Sequence, residues 1–207
     1  MRTWWRILLG LCFASILAQA AEPSLRSDTH ELRFVTYNVL ADEDPSGQRV
    51  PKLLEILRNT DADIIVLASP NYIFSVSAQM KALFDRCCGP IHTQALEGKY
   101  GAAVVSSGGP GNEEVEKYML RFANSLGAWA VGSTGTDLAH IFNPEKLPQV
   151  LKAAADLGTE LVEAIGSGKT YPEQEPALQG FREYMRSWLV TQGERWPFEA
   201  QYWKDRS

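Results

Sequence analysis

Two loops rich in small and aromatic residues follow two apolar segments of this sequence. The first loop begins at Ser69, after the segment DIIVLA, and the second begins at Ser106, after the segment GAAVV. Continuous apolar runs of this length are typical of parallel strands that are covered on both faces. In a parallel α/β sheet, ligands bind in the crevice beyond the carboxyl ends of the strands. The sequence therefore predicts that the two loops line one shared ligand site.

The residue types in these loops suit a flat ligand. The glycine-rich stretch Gly108–Gly111 lets the backbone approach a ligand closely because no side chain intervenes. Tyr72 or Phe74 can offer an aromatic face, and Ser106 and Ser107 supply hydroxyl and amide groups for a polar edge. The alternative is that both loops are ordinary turns, since Gly and Pro punctuate any α/β connection.

These residues carry a resemblance to a known family. The segments Ser69–Tyr72, Ser75–Ser77, Asp85–Arg86 and Ser106–Gly111, with Lys81, resemble the third and fourth strand-to-loop units of NADPH-dependent FMN reductases, which are flavodoxin-like proteins. The resemblance extends from about residue 61 to residue 207. It implies a bound FMN, NAD(P)H as co-substrate and a small-molecule electron acceptor such as a quinone. It requires no side chain as acid or base.

The resemblance also implies which residues contact the flavin. One loop lies on each side of the isoalloxazine ring in that family. The implied cofactor-binding residues are Ser69, Pro70, Asn71, Tyr72, Ile73, Phe74 and Ser75 in the first loop, and Ser106, Ser107, Gly108, Gly109, Pro110 and Gly111 in the second.

The segment implied to hold the FMN phosphate is acidic. Flavodoxin-like proteins bind this dianion at the loop after the first strand, with hydroxyl groups and a helix N-terminus. Here that loop is Ala41–Gln48, and it contains Asp42, Glu43 and Asp44. Each carboxylate would repel the phosphate by about 1 kcal/mol at contact in water. We therefore expect FMN binding that is weakened or lost relative to an intact reductase.

A second resemblance covers the segment before the first loop. Leu32–Ala68 resembles the opening of endonuclease/exonuclease/phosphatase-type hydrolases, whose first strand carries the Thr-Tyr-Asn found here at Thr36–Asn38. Those enzymes bind their metal through a Glu where this chain has Ala68 or Ser69. The resemblance suggests a hybrid chain with residues 32–60 of hydrolase-like origin. Two alternative functions follow, a secreted metal-dependent phosphodiesterase and a non-catalytic fusion product.

Two further motifs have a functional and a structural interpretation. The acidic loop, together with Asn38, offers hard oxygen ligands for magnesium or calcium, but only one loop contributes, and a solvated turn is favoured. The sequence GSGKT at Gly166–Thr170 resembles half of a phosphate-binding P-loop, yet Glu163 replaces the required first glycine. A helix end at Gly166 is the favoured interpretation. We predict no metal site.

The first twenty residues predict a secretory signal. Arg2 and Arg6 precede an apolar run that ends at Ala18–Ala20, so cleavage is expected after Ala20 and the protein is expected to be secreted or periplasmic. The alternative is an uncleaved membrane anchor. The net charge is −5, and removal of the two arginines makes it −7. No basic block offsets this charge, which argues against a nucleic-acid partner.

The remaining chain predicts a linker over residues 21–31 and one α/β domain over residues 32–207, a flavodoxin-like three-layer sandwich. A helix is expected to begin at Ser75 or Ser77 and to end at Gly89–Pro90, and Asn112 is expected to cap another helix. Four strands are found where a flavodoxin-like sheet has five, so one strand–helix unit is expected to be absent. The predicted strands are Leu32–Leu40, Asp63–Ala68, Gly101–Ser106 and Trp129–Gly132, and long helices are predicted over Pro144–Ala164 and Pro176–Thr191.

Cysteine, histidine and C-terminal aromatic residues complete the predictions. Neighbouring cysteines rarely form a disulfide with each other, so none is expected between Cys87 and Cys88. Cys87 is predicted to be a core residue, and the sequence does not assign a role to Cys88. His30, His92 and His140 show no partner pattern and are assigned no catalytic role. The aromatic residues Trp188, Trp196, Phe198, Tyr202 and Trp203 are predicted to cover a sheet face or to form a homodimer contact.

Overall fold

The computed structural model describes residues 34–37 and 63–206. Its sheet has four parallel strands in the order β1-β2-β3-β4. The strands are β1 (Phe34–Tyr37), β2 (Ile64–Pro70), β3 (Tyr100–Ser107) and β4 (Trp129–Asp137). All four predicted strands are therefore present. Because every strand runs in the same direction, the loops that follow them meet at one edge of the sheet.

Seven helices connect and flank the strands within the described residues. Two of them, α1 and α2, lie between β2 and β3, α3 lies between β3 and β4, and the other four follow β4. They are α1 (Ala78–Arg86), α2 (Cys88–His92), α3 (Asn112–Ser125), α4 (Leu138–Ile141), α5 (Leu147–Ser167), α6 (Glu175–Thr191) and α7 (Pro197–Lys204).

Two hydrophobic cores lie on opposite faces of the sheet. On one face, Ile65 and Leu67 of β2 pack with residues of α1 and α3 such as Met80 and Met119. On the other face, Ile64 and Val66 belong to a cluster that includes residues of α5 such as Leu161. Alternate residues of a strand point to opposite faces, which explains why β2 and β3 are apolar throughout. The result is the three-layer α/β/α sandwich that the sequence predicts.

Within residues 34–37 and 63–206, the strand order is that of a flavodoxin-like sheet without one strand. The flavodoxin-like order is 2-1-3-4-5. The order β1-β2-β3-β4 corresponds to strands 1, 3, 4 and 5 of that arrangement, because each strand here pairs with the next one along the chain. The residues that the structure describes therefore lack a counterpart of the second flavodoxin strand.

Several element boundaries differ from the prediction. β4 continues to Asp137 instead of ending at Gly132, because Ala102–Ser107 of β3 pair with all of its second half. The first long helix, α1, ends at Arg86, and Gly89 and Pro90 lie inside α2 rather than at the end of α1. The structure also adds the short helices α4 and α7, which the sequence analysis did not delimit.

The predicted helix cap at Asn112 is wrong. The cap position of α3 is Gly111, which has a left-handed backbone with φ of 96°, and Asn112 is the first helical residue. At α1, Ser77 is the cap, since its hydroxyl accepts a hydrogen bond from the backbone N–H of Met80 at 3.2 Å. Of the two cap candidates named from the sequence, Ser77 is the one used.

The outer edge of β4 is covered at one residue by the side-chain amide of Gln174. Its Nε2 donates to the carbonyl of Ala130 at 2.8 Å, and its Oε1 accepts from the N–H of Ala130 at 3.0 Å. The same Oε1 accepts from Asn124 Nδ2 at 2.9 Å. Gln174 therefore takes the place of a neighbouring strand and ties the start of α6 to α3 and β4.

Three of the C-terminal aromatic residues pack around His92 at the end of α2. Trp203 Nε1 donates to the carbonyl of His92 at 3.0 Å, and the rings of Trp188 and Trp196 pack edge-on against the His92 ring. Phe198 is exposed. The contacts of these three tryptophans are thus with the end of α2, and the predicted sheet-face or homodimer contact stays a prediction.

Other predictions fall outside the described residues. They are the signal segment 1–20, the linker 21–31 and the acidic loop Ala41–Gln48. Among the residues that the structure does describe, no helix combines the length and the apolar character that crossing a membrane requires.

Candidate functional site

The two predicted loops lie side by side at the carboxyl edge of the sheet. Pro70 at the end of β2 is the register partner of Ser106 in β3. One residue further on, the backbone N–H of Asn71 donates to the carbonyl of Ser106 at 2.7 Å. The side chain of Asn71 also reaches the second loop, where its Nδ2 lies 3.4 Å from the carbonyl oxygen of Pro110. The structure therefore brings the two sets of residues together.

The first loop is a tight turn that presents apolar side chains to solvent. Tyr72 and Ser75 exchange two backbone hydrogen bonds, of 3.0 and 3.2 Å. The two residues between them have left-handed backbones, with φ of 52° at Ile73 and 59° at Phe74. Such a conformation is unusual for any residue except glycine, and it is most unusual for a β-branched residue. Tyr72, Ile73 and Phe74 are 60%, 90% and 64% exposed.

Ser69 differs from the rest of the first loop because its hydroxyl is already used. The residue is buried at the end of β2. Its Oγ accepts from the backbone N–H of Ser77 at 3.0 Å and donates to the carbonyl of Pro70 at 2.9 Å. This hydroxyl connects β2 to the start of α1. The Ser69 hydroxyl therefore stabilises the first loop and is not available to bind a ligand.

The second loop exposes its backbone. A side chain placed at Gly108 or Gly109 would meet no atom within 4 Å, so the chain there is open to whatever lies above it. The hydroxyl of Ser107 donates to the carbonyl of Gly109 and holds the loop in a compact turn. The open backbone is the part of the loop that a flat ligand can approach closely.

Phe74 connects the two loops by packing on Gly111. A Cβ at Gly111 would lie 2.5 Å from the Phe74 ring, and its φ of 96° also favours glycine. The ring of Phe74 therefore occupies the space directly above Gly111. A planar ligand between the loops either displaces Phe74 or lies against the part of the second loop around Gly108 and Gly109.

Two asparagine side chains link the carboxyl ends of three strands. Asn71 Nδ2, after β2, lies 3.4 Å from Asn112 Oδ1. Asn112 Nδ2 in turn donates to the carbonyl of Thr136, near the end of β4, at 3.1 Å. The sequence analysis assigned Asn112 to helix capping and so missed this bridging role. The Oδ1 of Asn71 is buried and has no hydrogen-bond donor.

At the end of β4, Asp137 is the partner of His140, for which the sequence analysis found no partner pattern. Asp137 is the register partner of Ser107, so it lies beside the second loop. Its Oδ1 accepts from the backbone N–H of His140 at 2.9 Å and lies 2.6 Å from His140 Nδ1. Hydrogen bonds from the ring and the backbone of His140 lower the pKa of the Asp137 carboxyl below its ordinary value. The spacing Asp-x-x-His at the end of a strand could have indicated that these two side chains contact each other.

The structure decides several of the alternative motifs. In the segment GSGKT, Gly168 has a left-handed backbone at the end of α5, and the N–H of Lys169 donates to the carbonyl of Ala164. The segment is therefore a helix C-terminus, although its left-handed residue is Gly168 and not Gly166. Cys87 is buried as predicted, and Cys88 is exposed. Within residues 63–206, no group of three or more His, Cys, Asp or Glu residues could hold a metal ion, and the acidic loop Ala41–Gln48 that was the metal candidate lies outside the described residues.

Comparison with known proteins identifies the family. The sequence model of the NADPH-dependent FMN reductases matches residues 11–139, which is more than half of the chain. The chain belongs to this family. The match includes both loops of the site and ends two residues after β4. It also includes residues 32–60, the segment that resembles a hydrolase, within the FMN reductase family.

Individual relatives of this FMN reductase family member were also found. An iron–sulfur flavoprotein of Archaeoglobus fulgidus is 30% identical over 148 residues, which are 70% of this chain and 66% of the relative. The chain thus spans just under two thirds of that protein. An NADPH-quinone reductase from P. pentosaceus is 22% identical, with a TM-score of 0.46 over 70% of this chain and 88% of that chain. A WrbA-like flavodoxin from Agrobacterium tumefaciens is 18% identical, with a TM-score of 0.41 over 53% and 69%.

Proposed function

We propose that this protein is an NAD(P)H-dependent FMN oxidoreductase that passes reducing equivalents to a small-molecule acceptor such as a quinone. The observation that carries the proposal is the position of the two loops within the family match. They lie at adjacent carboxyl ends of a parallel sheet, the edge at which this type of fold binds its ligands.

The residues present fit the ring of a flavin. Gly108 and Gly109 have no neighbour where a side chain would stand, so the backbone forms an open floor. Tyr72 and Phe74 have large exposed aromatic surfaces beside it. The buried Asn71 Oδ1 lacks a donor, and an unpaired buried acceptor costs about 1 to 3 kcal/mol unless a partner arrives. A ring with an N–H group supplies such a partner when the loop opens.

The proposed binding residues have separate roles. The amides of Ser107, Gly108 and Gly109 orient the polar edge of the ring, and Tyr72 and Phe74 shield its apolar edge from water. Ser69 acts only through the loop that it supports. When bound, FMN supplies the redox chemistry by accepting a hydride from the nicotinamide, and the protein positions it. The carboxylates of the acidic loop Ala41–Gln48 are expected to repel the FMN phosphate and so to weaken its binding.

An iron–sulfur cluster does not fit this chain. The curated relative is described as an iron–sulfur flavoprotein. Such clusters are held by four Cys thiolates. The 207 residues contain three cysteines, two of which are the adjacent pair Cys87 and Cys88. We therefore propose that electrons leave the flavin directly for the soluble acceptor.

The remaining proposals concern partners and location. We propose an association of two copies, no nucleic-acid partner, and export to the periplasm or the medium after cleavage behind Ala20. Sedimentation velocity measures the oligomeric state. N-terminal sequencing of protein recovered from cell fractions measures the cleavage, and a chain that keeps Met1 in the cytoplasm would contradict export. The family match begins at residue 11, inside the predicted signal. The alternative outcome of this experiment is therefore that residues 11–20 are retained as part of the domain.

The central test is flavin binding followed by turnover. Purified protein is titrated with FMN while flavin fluorescence is measured, and NADPH or NADH oxidation is then followed with a quinone as acceptor. Quenching together with acceptor-dependent oxidation supports the proposal. Magnesium-dependent cleavage of a phosphodiester without quenching would instead support the hydrolase alternative. Neither activity would support the non-catalytic alternative.

A substitution in the second loop links binding to the proposed site. Gly109→Val adds a side chain over the open backbone, where its Cβ meets no protein atom within 4 Å, so the fold is expected to remain intact. We expect the Kd for FMN to rise about tenfold or more, which corresponds to about 1.4 kcal/mol. Gly180→Val adds the same side chain where α6 is equally open and serves as the control. Equal FMN affinity in the two variants would place the flavin elsewhere.

A further inference from the structure

The end of β4 carries a histidine whose environment is more specific than helix capping requires. Asp137 caps α4 through the backbone N–H of His140, and this contact needs only the carboxylate and the backbone. The ring of His140 adds a second contact to the same oxygen, at 2.6 Å. The ring is therefore held in one orientation by a carboxylate, an arrangement that capping alone does not explain.

The contact fixes which ring nitrogen carries a proton. An ionised carboxylate can only accept hydrogen bonds, so Nδ1 of His140 must be the donor. The lowered pKa of Asp137 agrees with an ionised partner. The Nε2 atom is then the ring nitrogen that does not contact Asp137. Among the described residues, no hydrogen bond or ion pair occupies Nε2, and the His140 side chain is 44% exposed.

The pair lies at the edge of the sheet where the proposed flavin site is. Asp137 stands opposite Ser107 in the strand register, one residue before the open backbone of Gly108. The carbonyl of Thr136, the preceding residue, is held by Asn112 at 3.1 Å. The position of the Asp137 backbone is therefore fixed relative to both loops.

We propose that His140 is a proton donor to the electron acceptor, oriented by Asp137, and that the acceptor is a quinone-type carbonyl compound. This inference rests on the proposed function. Two-electron reduction of a quinone to a hydroquinone requires a hydride and one further proton. A bound FMN would pass on the hydride that NAD(P)H supplies. The Nε2–H bond of protonated His140 breaks, its electron pair stays on nitrogen, and an O–H bond forms on the acceptor. Water then returns a proton to Nε2.

The test compares two acceptors with the FMN-loaded protein. Benzoquinone takes up protons when it is reduced, whereas ferricyanide takes up electrons alone. General-acid catalysis contributes about 10²-fold or more. For His140→Ala we therefore expect the ratio of benzoquinone kcat to ferricyanide kcat to fall about 10²-fold. This variant keeps the backbone N–H that α4 needs. Asp137→Asn keeps a capping side chain without the charge and is expected to lower the ratio less.

A control and a second readout separate this inference from the proposed function. Lys152→Ala, on the exposed surface of α5, is expected to leave the ratio unchanged. Independently of turnover, NMR of ¹⁵N-histidine-labelled protein is expected to show a hydroquinone-dependent shift of the His140 Nε2 resonance. An unchanged ratio, or no such shift, overturns the role of His140 even where FMN binds. Absence of FMN binding overturns the proposed function, and the NMR experiment then still decides whether His140 contacts the quinone.

Discussion

Single residues at the site show how closely its geometry is constrained. Gly111 combines a left-handed backbone with direct contact to the Phe74 ring. Ile73 and Phe74 adopt left-handed conformations without being glycine, at a cost of order 1 to 3 kcal/mol each. Strain of this size persists where the surrounding structure imposes it. Here the imposing contacts are the paired hydrogen bonds between Tyr72 and Ser75.

Gly111→Ala is expected to lower the free energy of unfolding by about 1 to 3 kcal/mol, because alanine disfavours a φ of 96° and its methyl group meets the Phe74 ring. Urea unfolding followed by circular dichroism measures the change. In the double variant with Phe74→Ala, the part of this loss that comes from the contact with the Phe74 ring should be recovered, and the part that comes from the backbone conformation should remain. Gly109→Ala is the control, with an expected change within about 0.5 kcal/mol. Equal effects at the two glycines would contradict the described contact.

Residue roles at the site could be predicted from the sequence only where they depend on the position after a strand. The loops predicted to begin at Ser69 and Ser106 do follow apolar strands, although β2 continues to Pro70 and β3 continues to Ser107. The bridging role of Asn112 was missed, since an asparagine before two glutamates suits a helix cap equally well. The pairing of Asp137 with His140 was missed because the predicted strand ended at Gly132 and His140 was assigned no partner. Only the pairing of the segment GSTGTD with Ala102–Ser107 makes that segment a strand.

At the scale of elements, the start of α1 depends on one hydroxyl. Ser77→Ala removes the hydrogen bond from the N–H of Met80 and is expected to cost about 1 kcal/mol. Ser75→Ala is the matched control, because Ser75 is exposed and its side chain caps nothing in the structure. Thermal unfolding of both variants checks the assignment. A larger loss for Ser75→Ala than for Ser77→Ala would show that the helix begins elsewhere.

The junction between α6, α3 and β4 depends on the side-chain amide of Gln174. Gln174→Ala removes three hydrogen bonds and leaves the polar groups of Ala130 without partners, so a loss of about 2 to 3 kcal/mol is expected. Hydrogen exchange at the Ala130 amide should accelerate. Gln179→Ala, whose amide makes an exposed contact to Glu183 on α6, serves as the control. Unchanged exchange at Ala130 would contradict the structure.

The element pattern itself was largely predictable. β2 and β3 have apolar residues for both faces of the sheet, and α3 has its buried residues at helical spacing. The end of α1 was not predictable. Gly89 and Pro90 indicate a helix end in the sequence, but in the structure they lie inside α2. The length of β4 depends on a neighbouring strand, and no local preference of Gly, Ser and Thr could have indicated it.

For the whole molecule, buried tyrosines predict an upper pH limit to stability. Burial raises the pKa of Tyr100, Tyr171 and Tyr202 above the ordinary value of 10.0. The folded state therefore favours the neutral phenols. The contribution of these tyrosines to the free energy of unfolding is fully present below pH 10.0. It declines as the pH rises from there through the raised pKa values. A series of Tm measurements across this range checks the direction.

Tyr171→Phe isolates one of these groups. The Tyr171 hydroxyl is buried and has no hydrogen-bond partner, so its removal should not lower Tm near neutral pH. The decline of Tm at alkaline pH is expected to become shallower, because one phenol no longer has to ionise. Tyr184→Phe, at an exposed tyrosine, should leave the decline unchanged. A steeper decline in Tyr171→Phe would contradict the predicted sign.

The position of Gln174 also bears on how the molecule behaves at high concentration. An uncovered edge strand is a template on which another chain can extend a sheet, and this is a common route to aggregation. At Ala130 both backbone groups of the edge strand are already occupied by the amide of Gln174. A second molecule cannot add a strand at that residue without first displacing α6. The same side chain that holds the start of α6 thus blocks strand addition at this position of β4.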